Sequence, residues 1–260
     1  MTTQANRDAA AVLAKARLSG KPCQRISEQF GITNLDDAYA VQEINTQLAL
    51  EQGRRLTGRK IGLTSLAVQQ QLGVDSPDFG MLFADMQFTN DVTIDCKKLI
   101  QPKVEGEIAF VLKEDLLRVD TTSAELIQAI DYILPALEIV DSAIENWKIT
   151  LVDTVADNAS SGLYVLGNTP VSLAALDLSL EGMILEKNGE HASIGVGAAC
   201  LGSPLQSCLW LVRKMAEYGR PLKKGDVVLT GALGPMVKVE AGDHIRLRLT
   251  RIGEVGCSFI

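Results

Sequence analysis

Apolar positions recur every three or four residues over residues 6–18, where Ala9, Val12, Leu13 and Ala16 share one face, and they predict an Ala-rich helix. A connection containing Gly20, Pro22 and Gly31 follows. Thr33 or Asn34 can cap the next helix, whose stripe is Ala38, Val41, Ile44 and Leu48 and whose stop is Gly53. The period then changes. Residues 58–65, GRKIGLTS, read as a short strand between glycines that presents Lys60. The next stretch, AVQQQLGVDSPDFGMLFADM, reads as a short helix and then a loop marked by proline and glycine, with Asp78 in it.

Residues 101–112, QPKVEGEIAFVL, form the stretch around which the rest is organised. Side chains alternate across a strand, so Lys103, Glu105 and Glu107 project to one side and Val104, Ile108, Phe110 and Leu112 to the other. Gly106, between the acids, leaves the opposite face open to close approach. A capping box of Thr122 and Glu125 predicts a helix over residues 122–134 along Leu126, Ile130 and Ile133, stopped by Pro135. Residues 137–140 then emerge as a buried strand carrying Glu138.

Further strands are expected at 163–166 and 178–186, with Lys187-Asn188-Gly189-Glu190 as a hairpin turn. Ser203, Pro204 and Gln206 open the last clear helix, with Leu209, Val212 and Met215 inside and Gly219 and Pro221 at its end. Strands at 227–229, 236–239 and 244–250 follow; in the last, Ile245, Leu247 and Leu249 alternate with Arg246 and Arg248. A helical beginning followed by many short strands predicts an α+β fold. Its α-rich N-terminal subdomain would span residues 1–57, and a mixed β-roll or barrel-like sheet residues 58–260.

The 260 residues suffice for a large core, and 47 % hydrophobic with 22 % charged residues is ordinary for a soluble globular protein. A formal net charge of -7 argues against a phosphate-backbone partner, so Arg54-Arg55 and Lys223-Lys224 are expected on solvated faces. No signal-like apolar segment opens the chain and no run reaches bilayer-spanning length, so a cytoplasmic protein with neither nucleic-acid nor membrane partners is expected. Cys23, Cys96, Cys200, Cys208 and Cys257 show no CxxC spacing and read as free thiols. With only His191 and His244 available, a His-based metal site or a Ser-His-Asp relay lacks material, and chemistry falls to carboxylates and lysine. GRKIGLT lacks the phosphate-loop spacing, and GVGAACLG and TGALGPM lack the dinucleotide fingerprint.

Two like charges on one strand face repel each other, and burying either alone is costly. Glu138, interrupting the apolar run ILPALEIV, poses the same problem. Three carboxylates from two segments make an oxygen-rich site for a hard divalent ion, with positions left for water and substrate. Taken singly, Lys60 reads as an exposed strand-end lysine and Asp78 as a turn acid. The small polar residues of DTVADNASSG serve either turn formation or carboxylate binding.

Together, GRKIGLTSLAVQQQLGVDSPDFGMLFADM, QPKVEGEIAFVL, LPALEIVDSAIENW, DTVADNASSGLYVLG and TGALGPM resemble, in order and spacing from about residue 36 onward, the 2-hydroxypenta-2,4-dienoate hydratases. These belong to the hydratase/decarboxylase branch of the fumarylacetoacetate hydrolase superfamily. The resemblance implies a β-roll behind an α-rich N-terminal part. It also implies a metal-dependent hydro-lyase of meta-cleavage aromatic catabolism, converting 2-hydroxypenta-2,4-dienoate to 4-hydroxy-2-oxopentanoate.

The resemblance puts Glu105, Glu107 and Glu138 on the ligands of Mg²⁺ or Mn²⁺, and Lys60 and Asp78 on the proton-transfer positions. Ser160 and the backbone around Thr230 and Gly231 fall near the substrate carboxylate. Lys60 is expected to have a lowered pKa from the cation and partial burial. The implied partners are a small 2-hydroxy-dienoate or 2-oxo acid, further copies in a homo-oligomer, and a neighbouring pathway enzyme. The alternatives are 4-oxalocrotonate decarboxylase and 2-oxohept-4-ene-1,7-dioate hydratase of the same branch, or a non-catalytic ligand-binding homologue. The runs DTVADNASSG and TGALGPM favour the pentadienoate hydratase.

Overall fold

The computed structural model describes residues 2–72 and 74–260. Three helices lead: α1 (Gln4–Ser19), α2 (Ile26–Phe30) and α3 (Leu35–Glu51). Local chemistry fixes the ends of the long ones. The Thr3 hydroxyl accepts from the Asn6 N–H at the start of α1, and Gly20, at φ 66°, closes it. Asn34 caps α3 by accepting from the Asp37 N–H. The short α2 occupies part of what reads in the sequence as plain connection. The buried face of α3 also departs from the apolar stripe: Leu48 is 42 % exposed, whereas Gln42 is buried. The Gln42 amide donates to the backbone oxygens of Phe79 and Val155, which ties α3 to the body of the protein.

The remaining elements in chain order begin with β1 (Leu56–Gly62), α4 (Leu66–Leu72), β2 (Asp78–Phe83), β3 (Gln87–Thr89) and β4 (Val92–Ile94). Then come β5 (Pro102–Leu112), α5 (Ser123–Ala129), β6 (Ile130–Asp141), α6 (Leu151–Ala156) and β7 (Ser161–Leu166). The chain closes with β8 (Gly182–Lys187), β9 (Glu190–Val196), α7 (Pro204–Glu217), β10 (Val227–Leu229), β11 (Val237–Lys238), β12 (His244–Leu249) and β13 (Gly253–Phe259). An eight-stranded mixed sheet runs β2-β1-β10-β5-β6-β7-β3, with β11 also paired to β5. A five-stranded sheet runs β4-β13-β12-β8-β9. The fold is α+β, with an α-rich start and curled sheets, as the order of elements predicts.

The hairpin between β8 and β9 forms at Asn188 and Gly189, whose φ values of 56° and 85° suit the two central positions of a tight hairpin turn. Two stretches differ from expectation. Asp78 opens a fully buried strand rather than sitting in a loop, because Phe79, Met81, Leu82 and Phe83 all find core. The helix that Thr122 caps ends at Ala129, and the chain passes through Pro135 as β6. Pro135 is tolerated there because its carbonyl accepts from Gly167 just beyond the end of β7, so its missing N–H faces the limit of that ladder. The strand β13 was not foreseen either.

The two sheets meet behind the paired acids. A Cβ on Gly106 would stand 2.6 Å from Met183 Sδ and 2.7 Å from Leu247 Cδ1, so the missing side chain lets β5 lie against β8 and β12.

Candidate metal centre and active site

Register decides which side chains share a face. Glu105 pairs directly with Glu138 across β5 and β6, and Glu107 lies two residues further along the same face. Lys60 is in register with Leu229 of β10, which pairs with Ala109, so Lys60 projects from that face too. On the edge, Gly62 pairs with Asp78, which gives Asp78 the same orientation. A Cβ on Gly62 would stand 2.1 Å from Asp78 Oδ1; the glycine makes room for the carboxylate, and its backbone N–H donates to it. All five sequence-predicted acids and bases thus converge.

Each of Glu105, Glu107 and Glu138 offers an oxygen within 4.8 Å of the others. Ligands on opposite sides of an ion bound at 2.0–2.6 Å stand about 4–5 Å apart, so the spacing suits Mg²⁺ or Mn²⁺. Lys60 Nζ lies 3.0 Å from Glu138 Oε1 as an ion pair, but without hydrogen-bond geometry. Both Glu138 oxygens and Glu107 Oε1 are therefore buried without a hydrogen-bond donor. Buried acceptors are rarely left unsatisfied. A divalent cation would satisfy these, and the donor set fits one. The second Glu107 oxygen accepts from the Gly231 N–H at 2.8 Å.

The electrostatics follow from burial and crowding. Burial, then the Glu138 charge, pushes Glu105 up to about 7, and the same causes raise Glu107 well above the ordinary glutamate range. Burial raises Asp78 as well, against the pull of Lys60. For Lys60, burial acts downward, but Glu138, then Asp78, Glu105 and Glu107 outweigh it and hold the ammonium above its ordinary value. The expected lowering of Lys60 is thus reversed in the metal-free protein, because four carboxylates surround it.

Ser160 is buried, and its hydroxyl lies 3.1 Å from that of Thr154. Asn158, Ala159 and Ser160 all adopt left-handed φ values of 54°, 51° and 55°. Three such residues in a row cost conformational energy that surrounding contacts must offset. The Asn158 side chain supplies part of that by accepting from the Met81 N–H at 2.7 Å and donating to its carbonyl at 2.9 Å, like a strand partner for β2. Arg17 of α1 supplies more: it grips Asp157 through two nitrogens and reaches Asp141 with a third.

The Thr230 hydroxyl donates to Ile108 O and the Gly231 N–H is held by Glu107, so their turn borders the centre with those donors already engaged. Sequence reasoning missed Arg17, Gly231's bond to Glu107, and buried Cys200, whose thiol donates to Gly231 O. Each depends on a contact between distant segments, and no local pattern marks it.

Comparison with known proteins places the chain in a family. Residues 60–259 match the family described as fumarylacetoacetate (FAA) hydrolase C-terminal. The chain is 55 % identical to a 2-keto-4-pentenoate hydratase of Paraburkholderia xenovorans over 259 residues, covering 100 % of this chain and 96 % of that one. It is 38 % identical to a 2-hydroxyhexa-2,4-dienoate hydratase of Comamonas testosteroni over 249 residues, covering 95 % and 94 %. Among solved structures, 4-oxalocrotonate decarboxylase from Pseudomonas putida G7, complexed with magnesium and adipate, superposes with a TM-score of 0.94 at 35 % identity, covering both chains fully. With residues 60–259 matched to that family and 55 % identity to a relative over the whole chain, the chain belongs to the fumarylacetoacetate hydrolase family.

Proposed function

We propose that the protein is a Mg²⁺- or Mn²⁺-dependent hydro-lyase that adds water to 2-hydroxypenta-2,4-dienoate and yields 4-hydroxy-2-oxopentanoate. The observation that carries this reading is the buried triad Glu105, Glu107 and Glu138, with donor-free oxygens, beside Lys60 and Asp78. It is supported by 55 % identity to a named hydratase against 35 % to the decarboxylase.

Glu105, Glu107 and Glu138 would hold the ion. Bound there, a divalent cation supplies Lewis acidity that stabilises negative charge on the substrate's carboxylate and C2 oxygen. Ser160 and the turn at Thr230 and Gly231 border the space for that carboxylate. Water does not add to an electron-rich dienol, so the first task is a proton transfer. Lys60, kept as an ammonium by its carboxylate neighbours, donates a proton to C5, and the amine so formed takes up the proton that the C2 hydroxyl loses, which gives the 2-oxo-3-enoate. C4 is then electrophilic by conjugation. Asp78, raised by burial and short of one hydrogen-bond donor, takes a proton from water as the oxygen bonds to C4. The proton that Asp78 took from water is returned to C3, which completes the addition and restores the carboxylate.

The reading extends to a homo-oligomer. Strand β9 is an edge of its sheet and exposes Ile194 at 64 % and, two residues on, Val196 at 39 %, an apolar edge suited to a second copy. It also extends to contact with a neighbouring pathway enzyme. No helix among the described residues is long and apolar enough to cross a membrane.

The test is absorbance of 2-hydroxypenta-2,4-dienoate with added Mg²⁺ and with chelator. Metal-dependent loss of the dienol signal without carbon dioxide release supports the hydratase. Carbon dioxide from 4-oxalocrotonate identifies the decarboxylase instead, and no reaction with either identifies a binding protein.

A further inference from the structure

On the face of β5 that carries Glu105 and Glu107, the next residue outward is Lys103, two positions and ~7 Å along the strand from Glu105. Burial falls away along this line: Glu107 is fully buried, while Glu105 and Lys103 are half-buried. Lys103 therefore stands at the more exposed end of the line of side chains that leads to the centre. Among the described residues its ammonium makes no ion pair or hydrogen bond, and it rests on the face of Trp147, 4.1 Å from the ring centre. Lys103 is a half-buried lysine whose N–H donors have no protein acceptor among the described residues, with the Glu105 charge acting on it.

The platform beneath it is built at some cost. Asn146 and Trp147 both take left-handed backbone at φ 57° and 55°, a conformation that L residues avoid. Gln101 holds them there. Its side-chain oxygen accepts from the Asn146 N–H at 2.7 Å, its amide donates to the carbonyls of Ser142 and Ile144, and its backbone oxygen accepts from the Trp147 indole at 2.9 Å. The strained turn places an indole face under a lysine, and an aromatic face attracts a cation without consuming its N–H donors.

The need for such a cation follows from charge. Glu105, Glu107 and Glu138 as carboxylates offset a dication and the Lys60 ammonium, so the loaded pocket carries no surplus positive charge, in a protein of net charge -7. An anionic substrate approaching the centre meets no net attraction unless a positive group stands at the rim.

We infer that Lys103, carried on Trp147, is the entry residue of the site, an uncommitted cation that draws the carboxylate of a small 2-oxo or 2-hydroxy acid to the acidic centre. The inference rests on the proposed reaction for its substrate class, but the binding arm of its test does not. In Mg²⁺-loaded protein carrying W210F, Trp147 is the remaining tryptophan, and its fluorescence reports oxalate, a small dianion able to chelate the metal.

At about 20 mM salt, Lys103→Met is expected to weaken oxalate binding about tenfold, with the difference shrinking below about twofold at 0.5 M as screening takes over. Lys103→Arg is expected to retain most of the affinity. In turnover of 2-hydroxypenta-2,4-dienoate, Lys103→Met lowers kcat/KM by a similar factor through KM and leaves the pH profile of kcat in place. Oxalate affinity unchanged by Lys103→Met at low salt overturns the inference whether or not the wild type hydrates the dienoate. A wild type that binds oxalate with this salt and Lys103 dependence but does not turn over overturns the proposed reaction alone.

Discussion

Glu105 and Glu138 stand directly opposite each other in the antiparallel register of β5 and β6, so two carboxylates share one buried face before any ion is considered. In the metal-free protein Glu105 titrates near 7, above the ordinary value of 4.5. Between those values the folded state binds more protons than the unfolded one, and stability falls as pH rises through that window. Thermal unfolding in chelator is expected to show a lower Tm at pH 8 than at pH 5.5. Added Mg²⁺ should raise Tm more at pH 8, where no proton competes. A metal-free Tm that climbs steadily from pH 5.5 to 8 contradicts this.

Replacing Glu107 with glutamine mimics its protonated form, the form that burial favours. Glu107→Gln is expected to keep or raise the metal-free Tm while weakening Mg²⁺ or Mn²⁺ binding by ~100-fold or more, since losing a group that merely orients a ligand already costs about 10–100-fold. Calorimetric titration with Mn²⁺ checks the affinity, and differential scanning calorimetry checks the stability.

Lys60→Met separates proton transfer from metal binding. Losing a general acid typically costs about 10²–10⁴-fold in rate, so kcat should fall by that order while Mn²⁺ still binds. Because Glu138 loses its ion-pair partner, the metal-free variant should be less stable than wild type and should regain most of the difference when Mg²⁺ is added. Near-normal kcat would remove Lys60 from the mechanism.

Arg17 ties α1 to Asp141 and Asp157 at 3.0 and 2.8 Å, and both carboxylates are buried while the arginine side chain is 29 % exposed. Removing a partner from a fully buried pair costs several kcal/mol; with this exposure, Arg17→Met is expected to destabilise by about 2 kcal/mol, measured by urea denaturation. Asp157 immediately precedes the left-handed run that ends at Ser160, so KM should rise as well.

Much of the fold was legible because it depends on short-range rules. Helix ends at Asn34, Thr122 and Ser203 lie where capping chemistry puts them, and the Asn188-Gly189 hairpin follows from residues able to adopt positive φ. Alternation in β5 correctly assigned its two faces, including Gly106 as the point of close approach. Local rules failed where tertiary contact overrode them. Ile130, Ile133 and Leu134 continue a helical period, yet they lie in β6, because pairing with β5 outweighs local helix propensity, which is weak for the β-branched Ile130 and Ile133. Asp78 sits in a sequence full of turn signals, but β1 recruits it as a strand partner.

By itself the sequence determined the chemical inventory: two glutamates at strand spacing and a third inside an apolar run, one lysine between glycines, almost no histidine, and hence a chemistry of carboxylate, cation and proton. Tertiary structure decided the charge states and the company those groups keep. The register that sets Glu138 against Glu105, the edge strand that brings Asp78 alongside Gly62, and the Trp147 platform beneath Lys103 all join residues far apart in the chain. Burial and mutual repulsion act through space rather than along the backbone, so only the folded chain fixes them.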